Sequence, residues 1–372
     1  MRIRLPLALL LALIAISTLC HELRDGSGTD GECYSLLRDV ENTLRRFERV
    51  RGNEIAMRQL IDDLKADLEY MKLCRKPELF ERFAPEGVRV PLVYVTGQGF
   101  NVHPINAMNL ATEAILYRGD WEEFRGIMEW MLRYMERKGN ASFLNFYFAW
   151  ERASIPWNSS LSQGVAAGYY AVACVRFGDP RYCEAARSLV NSFLIPQEEG
   201  GFVIETAYGP FYLEYSNSPD DLVLNGFMLS LKGLAIYDSL IGDGVSRRVL
   251  SEGIRTLRGI LPYYERGNWS LYSPKHGRAT ETYHRLHIRL LYFLGMWLGD
   301  GELLGYALRW DRYLTDRSEL PRAEREYEFW RDLVSSLTAS PRGSHPPEGG
   351  GIDRDVVVPA HVEDRPYLTQ VY

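Results

Sequence analysis

The sequence predicts an all-α protein, an α/α toroid built as a barrel of helical hairpins, with short β-hairpins over the cleft and an N-terminal helical hairpin. Apolar residues recur at helical spacing along most of the chain, and Gly, Pro and Asn break this pattern into segments of helix length. From residue 104 onward these segments form four pairs at a spacing of roughly 60 residues. Consecutive helical hairpins with apolar residues on two sides stack laterally, and such stacks commonly close into a toroid around a central cleft.

The N-terminus has the pattern of an export signal. Arg2 and Arg4 precede an apolar run over residues 5–19, which at roughly 15 residues is shorter than the about 20 residues of a membrane span. Residues 1–20 are therefore predicted to be a signal peptide or an N-terminal anchor, and the protein to be secreted or anchored to the outer face of the membrane. Cys20 ends the run, but the preceding Ser-Thr-Leu lacks the small residue expected before a lipid-modified cysteine. Lipid attachment and an uncleaved anchor are the alternatives.

A helical hairpin is predicted for residues 21–76. Helical spacing covers residues 34–50 and 54–73, and the Arg-Gly-Asn sequence between them forms a turn. Cys33 and Cys74 then lie together at the open end of the hairpin. They are predicted to form a disulfide, which suits an oxidising compartment.

A second disulfide is predicted between Cys174 and Cys183. These cysteines flank a Phe-Gly-Asp-Pro sequence in which Gly178 ends one helix and Pro180 begins the next, so their side chains can meet. The alternative is that all four cysteines are buried free thiols, since cysteine is often buried without a partner.

Residues 77–316 are predicted to form the toroid. They begin with a connector over 77–95, which four Pro and Gly residues interrupt and which is expected to contain one strand. Strand-like residues between the helices occur at 200–208 and 268–272, and these are predicted to form hairpins over the cleft. The predicted helices cover about 104–118, 121–138, 160–177, 180–194, 221–240, 246–263, 281–298 and 301–314.

Residues 317–372 are predicted to contain one polar helix, at about 321–338, followed by a flexible tail. Pro, Gly and Ser are frequent over 341–351, a composition typical of flexible linkers.

Three tyrosines at breaks between predicted helices are the candidate catalytic residues. Tyr215 follows the carboxylate of Glu214, Tyr272 precedes a basic turn, and Tyr283 begins the sequence Tyr-His-Arg-Leu-His-Ile. These segments resemble the C-terminal domain of the D-glucuronyl C5-epimerases, which invert C5 of glucuronate units in a polysaccharide. The resemblance covers about residues 156–314. It implies that the three tyrosines and Glu214 carry proton transfer and positioning.

The same resemblance identifies substrate-binding residues. Lys275 stands where the family has an arginine, which keeps the positive charge but loses the bidentate geometry that best holds a carboxylate. Asn225, the Arg309–Trp310 pair and, more distantly, Gln98 also match the family. Basic residues directly after Tyr272 and Tyr283 complete the predicted set of substrate contacts: His276, Arg278, His284 and His287.

Inversion at C5 requires a base on one face of the sugar, an acid on the other, and a cation or donor that stabilises negative charge on the carboxylate. Tyrosine suits both proton-transfer roles because its ordinary pKa of about 10 can be shifted by its neighbours. Positive charge is concentrated around the tyrosines: residues 247–289 contain nine basic and three acidic residues in a chain of net charge −6. A uronic-acid-containing polysaccharide or glycan is therefore the predicted partner, rather than nucleic acid.

No cofactor or metal is predicted, because His284 and His287 lack a third ligand at suitable spacing. The leading function is an exported uronate C5-epimerase, an isomerase acting on a glycan. A uronate polysaccharide lyase, which abstracts the same proton, and a glycan-binding protein without turnover are the alternatives. A glycoside hydrolase is disfavoured because Glu214 has no evident carboxylate partner.

Overall fold

The computed structural model describes residues 30–73, 75–150 and 154–339, with side chains from residue 37. The predicted signal peptide, the C-terminal tail and the Cys33–Cys74 disulfide lie outside the described residues. Two compact units divide the chain, one ending at Val102 and the other beginning at His103. Within the described ranges, no helix combines the length and the apolar character needed to cross a membrane.

The N-terminal unit contains a helical hairpin and a small antiparallel sheet. Its helices are α1 (Asp30–Arg49) and α2 (Glu54–Met71), which pack together. Asn53 caps α2, because its side-chain oxygen accepts a hydrogen bond from the Ala56 amide. The strands are β1 (Arg82–Phe83), β2 (Leu92–Val95) and β3 (Gly99–Asn101), in the order β1-β2-β3.

Buried polar groups hold this sheet against the hairpin. The Asp67 carboxylate accepts a hydrogen bond from the Phe100 amide at 2.6 Å, and the Asp63 carboxylate accepts one from the Val102 amide at 2.7 Å. Arg46 lies beside both carboxylates and donates to the backbone carbonyl of Gln98 at 2.8 Å. Because these contacts bind the segment up to Val102 to α1 and α2, the compact unit extends past the boundary at residue 76 expected from the sequence.

The second unit is a series of helical hairpins. The helices predicted at 160–177 and 281–298 have these same limits in the structure. A π-helical turn, Glu113–Tyr117, extends the first helix of this unit. The helices are α3 (Pro104–Thr112), α4 (Trp121–Leu132), α5 (Ser160–Phe177), α6 (Pro180–Asn191), α7 (Leu224–Leu240), α8 (Gly244–Tyr264), α9 (Glu281–Leu298), α10 (Gly301–Asp311) and α11 (Glu319–Ala339).

One helix of each hairpin packs against the next hairpin, so that α3, α5, α7 and α9 form a continuous inner row. The contact between α5 and α7 depends on glycine: a Cβ atom at Gly233 would lie 1.9 Å from the Gly164 carbonyl oxygen. Both helices are buried on nearly all sides, as expected for inner helices. Helix α11 packs mainly on α9. The helical prediction is confirmed, whereas closure of the row into a toroid stays a prediction.

Three β-hairpins lie where an outer helix leads into the next inner helix, and therefore at the same end of the helical stack. The hairpins predicted at 200–208 and 268–272 are present: residues 203–206 pair with 209–212, and residues 271–273 pair with 277–278. The first hairpin replaces the end of the helix predicted over 121–138: Gly139, at φ +59°, permits a tight turn that pairs residues 135–138 with 141–144. The strands are β4 (Met135–Lys138), β5 (Ala141–Leu144), β6 (Val203–Thr206), β7 (Gly209–Tyr212), β8 (Leu271–Ser273) and β9 (Gly277–Arg278).

The Cys174–Cys183 disulfide is confirmed, with Cα atoms 4.8 Å apart. Gly178 ends α5 in the left-handed conformation, and the Asp179 side chain caps α6 immediately before Pro180. The chain thus reverses over the few residues between the two cysteines, as the sequence indicates.

Candidate active site

Tyr272 and Tyr283 are in direct contact at the end of the stack where the inner helices begin. Tyr272 lies in β8, and Tyr283 lies in the first turn of α9, which Thr280 caps. Their ring centroids are 4.7 Å apart with an interplanar angle of 61°, and their side chains share a hydrogen bond. The structure therefore brings two of the three predicted catalytic tyrosines together.

Glu214 is fully buried between β7 and the start of α7. Asn225 donates its amide hydrogen to the Glu214 carboxylate at 3.3 Å. The adjacent Gly226 allows this approach, because a Cβ atom there would lie 2.3 Å from the same carboxylate oxygen. The Asn-Gly pair at the start of α7 thus positions the Glu214 carboxylate: Asn225 donates a hydrogen bond to it, and Gly226 leaves room for it.

The Glu214 carboxylate also changes the pKa of Tyr283. Burial raises the pKa of the Tyr283 hydroxyl, and the nearby Glu214 carboxylate raises it further, whereas the hydrogen bond with Tyr272 lowers it. The net pKa lies above the ordinary value for tyrosine. Tyr283 is therefore protonated at neutral pH and available as a proton donor.

Tyr215 is mostly buried, and its ring packs against Trp157 with centroids 5.6 Å apart. The chain on both sides of Tyr215 is bound to the beginning of α5: the Ser160 amide donates to the Leu213 carbonyl at 2.9 Å, and the Asn158 amide donates to the Ser216 hydroxyl at 3.0 Å. These contacts fix the backbone that carries Glu214 and Tyr215.

Lys275 and His276 occupy the turn between β8 and β9, next to Tyr272. The Lys275 ammonium pairs with Asp220 at 3.0 Å, and His276 Nε2 lies 2.9 Å from the buried carboxylate of Asp221. The sequence reasoning missed both aspartates. Their position, directly before α7 and close after Tyr215, is the signal that could have identified them.

His284 and His287 are fully buried and follow Tyr283 on α9. The Ser270 hydroxyl oxygen lies 2.7 Å from Nδ1 of His284 and 2.8 Å from Nδ1 of His287. Burial lowers the pKa of His284 to about 4 and that of His287 well below its ordinary value, so both are neutral. This burial argues against the predicted contact with substrate, and we assign the two residues a structural position instead. Among the described residues, no group of three or more His, Cys, Asp or Glu side chains could hold a metal ion.

Trp310 also differs from expectation, whereas the predicted substrate contact of Arg309 stays a prediction. Trp310 is fully buried and donates to the Glu265 carboxylate at 3.0 Å, while Arg309 donates to the same oxygen at 2.8 Å. Trp310 therefore offers no exposed face on which a sugar could stack. Arg278 is exposed, with its guanidinium 4.5 Å from the centre of the Trp269 ring.

Gln98 belongs to the N-terminal unit, where Arg46 and Thr43 hydrogen-bond to its backbone carbonyl. Its proposed contact with substrate stays a prediction.

Together the grouped residues offer a protonated tyrosine in contact with a second one, a buried carboxylate, and a cationic turn beside them. Such a set can hold an anion and move a proton next to it.

Residues 139–312 match the family model described as the D-glucuronyl C5-epimerase C-terminus. An uncharacterized protein of Methanocaldococcus jannaschii is 28% identical over 170 residues, which is 45% of this chain and 55% of that protein. The D-glucuronyl C5-epimerase of Caenorhabditis elegans is 27% identical over 212 residues, which is 51% of this chain and 34% of that protein. The alignments thus span about half of the first relative and a third of the second. The family resemblance of the tyrosine segments is confirmed.

Among solved structures, an endo-β-1,4-glucanase from Acetobacter xylinum aligns with a TM-score of 0.41 and 16% identity, covering 66% of this chain and 91% of that one.

Proposed function

We propose, from the match of residues 139–312 to the D-glucuronyl C5-epimerase C-terminal family model, that the chain inverts C5 of uronate units in a glycan. The observation that carries the proposal is the grouping of Tyr272, Tyr283 and Glu214 beside the cationic turn. The finer expectations from the sequence belong to the same proposal: a closed toroid around the cleft, and export as a protein that is either secreted or anchored to the outer face of the membrane.

The contact between Tyr272 and Tyr283 limits how a substrate can bind. A pyranose ring does not fit between two rings that already touch. Both hydroxyls therefore lie on the same face of the sugar. A two-base inversion needs a proton carrier on the opposite face, and we assign Tyr215 to it.

The reaction then proceeds in two steps. The base removes the C5 proton, and the C–H electron pair moves into the C5–carboxyl bond, placing negative charge on the carboxylate oxygens. The acid on the other face gives its proton to C5, and the electrons return from the carboxylate. Because Tyr283 stays protonated at neutral pH, we assign it the proton-returning role for the epimer whose C5 hydrogen faces Tyr215.

Lys275 stabilises the charge that develops on the substrate carboxylate. In this structure its ammonium pairs with Asp220, whose side chain is 71% exposed. Exposed ion pairs contribute about 0–1 kcal/mol. A substrate carboxylate can therefore replace the Asp220 carboxylate at little cost, and this exchange places the reacting carboxylate beside Tyr272.

The test is incubation of candidate uronans with the protein in deuterated water, followed by NMR of C5. An epimerase incorporates deuterium at C5 and forms the second epimer. A lyase forms an unsaturated product that absorbs in the ultraviolet, and a glycan-binding protein retains the chain without exchange. Either of these results would replace the proposed function.

A further inference from the structure

Ser270 connects the strand that carries Tyr272 to the helix that carries Tyr283. Its hydroxyl lies 2.7 Å from Nδ1 of His284 and 2.8 Å from Nδ1 of His287, and all three residues are fully buried. The Ser270 amide also donates to His284 Nδ1 at 3.2 Å. Ser270 directly precedes β8, and His284 directly follows Tyr283.

The hydrogen bonds determine which nitrogen of each imidazole carries the proton. His284 Nε2 lies 3.2 Å from the Trp310 carbonyl oxygen, which can only accept, so Nε2 carries the hydrogen and Nδ1 is an acceptor. The Ser270 hydroxyl must then donate its single hydrogen to His284. His287 Nδ1 must in turn donate to the Ser270 oxygen. The two histidines therefore have opposite tautomers.

This assignment leaves His287 Nε2 as a bare acceptor, and it has no hydrogen-bond partner among the described residues. His287 therefore depends on Ser270 for its hydrogen bonding. Removing the hydroxyl would leave a buried Nδ1–H without an acceptor, which is unfavourable.

We propose that Ser270 is a positioning residue of the active site, whose hydroxyl fixes β8 on α9 by linking two histidines of opposite tautomer and so holds Tyr272 against Tyr283. The proposal rests on the proposed function, because it assigns Ser270 a role in that reaction. Ser270 acts through the histidines and the strand and does not touch the substrate.

Neutral imidazoles are essential to this link, because a protonated His284 would carry a hydrogen on Nδ1 and could no longer accept from the Ser270 hydroxyl and amide. The charged groups near His284 are Arg278, Arg285 and Glu281. The two arginines oppose its protonation and Glu281 favours it, and burial is the largest effect. The tautomers are therefore fixed by burial and hydrogen bonding throughout the neutral range.

Ser270→Ala tests the proposal against a matched control. Ser230 is also a fully buried serine, but its hydroxyl donates locally to the Phe227 carbonyl within α7. Ser270→Ala is expected to lower kcat for C5 exchange by roughly ten- to a hundred-fold, because a misplaced catalytic pair loses rate steeply. The KM for the glycan should stay near wild type. Ser230→Ala should leave both constants near wild type, and equal kcat values for the two variants would overturn the positioning role.

The tautomers are measured directly, and without turnover, by NMR of the full chain labelled with ¹⁵N-histidine. His284→Gln and His287→Gln assign the signals. The wild-type protein should show His284 protonated at Nε2 and His287 at Nδ1, and Ser270→Ala should shift His287 toward the Nε2 tautomer. Two histidines with the same tautomer in the wild type would overturn the hydrogen-bond assignment. If the tautomers are as expected and no C5 exchange occurs with any uronan, the proposed function fails while the network stands.

Discussion

The rings of Tyr272 and Tyr283 touch, although eleven positions separate them along the chain and they belong to different elements. A turn of the β8–β9 hairpin lies between them, and it carries Lys275 and His276. The tyrosine pair on one face of the sugar and the proposed carboxylate site are therefore parts of one short segment, 272–283, whereas Tyr215 comes from another part of the chain. This compactness explains why the segment is recognisable in the sequence alone.

Substitutions of Lys275 should show that the proposed carboxylate site depends on the positive charge of this side chain and not on its shape. Lys275→Met is expected to lower kcat by at least about ten-fold, which corresponds to about 1.4 kcal/mol of transition-state stabilisation. Lys275→Arg should retain activity because it retains the charge. Asp220→Asn should lower the KM, since it removes the carboxylate that competes with the substrate. Steady-state kinetics on one uronan measure all three variants, and normal turnover by Lys275→Met would move the carboxylate site elsewhere.

A side chain at position 226 should abolish activity by displacing the Glu214 carboxylate, and not by unfolding the protein. Gly226→Ala places a Cβ atom within 3 Å of the Glu214 side chain, so the carboxylate must move away from Asn225. We expect the variant to fold and to lose C5 exchange. The control is Gly305→Ala in α10, where a Cβ atom would meet no heavy atom within 4 Å. That variant should keep full activity and gain about 0.4–1 kcal/mol of stability. An active Gly226→Ala variant would mean that the placement of Glu214 is unimportant.

Acid should destabilise the second unit. The folded pKa of His284, about 4, lies below its unfolded value of 6.5, so the folded state binds fewer protons. Stability is complete above the unfolded pKa and decreases as pH falls from about 6.5 to about 4, by up to about 2–3 kcal/mol for this residue. All eight tryptophans lie in the second unit, between residues 121 and 330, so tryptophan fluorescence reports its unfolding. His284→Gln should flatten the pH dependence. A wild-type stability that does not change over this range would contradict the buried neutral state.

The N-terminal unit should respond to pH in the opposite direction. Burial raises the pKa of Asp63 to about 7, and raises that of Asp67 as well. A folded pKa above the unfolded value of 3.8 means that stability is complete at low pH and is lost as pH rises from about 4 to about 7. Hydrogen exchange measured by mass spectrometry on peptides from residues 37–102 should therefore accelerate across this interval. Unchanged exchange would show that the carboxylates are ionised with little effect on folding.

Substitution of Arg46 tests whether its buried charge stabilises the same unit, and substitution of the exposed Arg45 is the control. Arg46 is buried beside Asp63 and donates to Asn101 at 2.6 Å, whereas the side chain of Arg45 is 75% exposed. Removing one partner of a buried ion pair costs about 3–5 kcal/mol, so Arg46→Met should strongly increase exchange in this unit. Arg45→Met should change it little. Similar exchange in the two variants would show that the buried cation does not hold the sheet.

The sequence predicts the helices of the second unit well because their apolar spacing is regular and Gly, Pro or Asp residues mark their ends. The π-helical turn and the β4–β5 hairpin were not predicted. Residues 135–138 continue a helical pattern, and only pairing with 141–144 makes them a strand. The three-stranded sheet of the N-terminal unit was not predicted either, because its strands are short and depend on contacts with α1 and α2.

At the site, the sequence identified the residues but not all of their positions. Tyr272, Tyr283 and Glu214 were predicted from their segments and lie together. The contacts of His284, His287 and Trp310 with Ser270 and Glu265 join residues distant in sequence, so nothing local indicated that their side chains are buried. Asp220 was missed because it is distant from Lys275 in the sequence, and the two residues form their ion pair only in the folded chain.

We expect Tyr215 and the Tyr272–Tyr283 pair to act on opposite faces of C5. The most direct test measures deuterium incorporation in Tyr215→Phe and Tyr283→Phe, starting separately from each C5 epimer, with Tyr272→Phe as the control on the same face as Tyr283. Both variants should lose inversion, and each should retain exchange without inversion from one epimer, with the retained epimer differing between them. Retention of exchange from the same epimer in both variants, or normal inversion by Tyr215→Phe, would contradict the assignment of opposite faces.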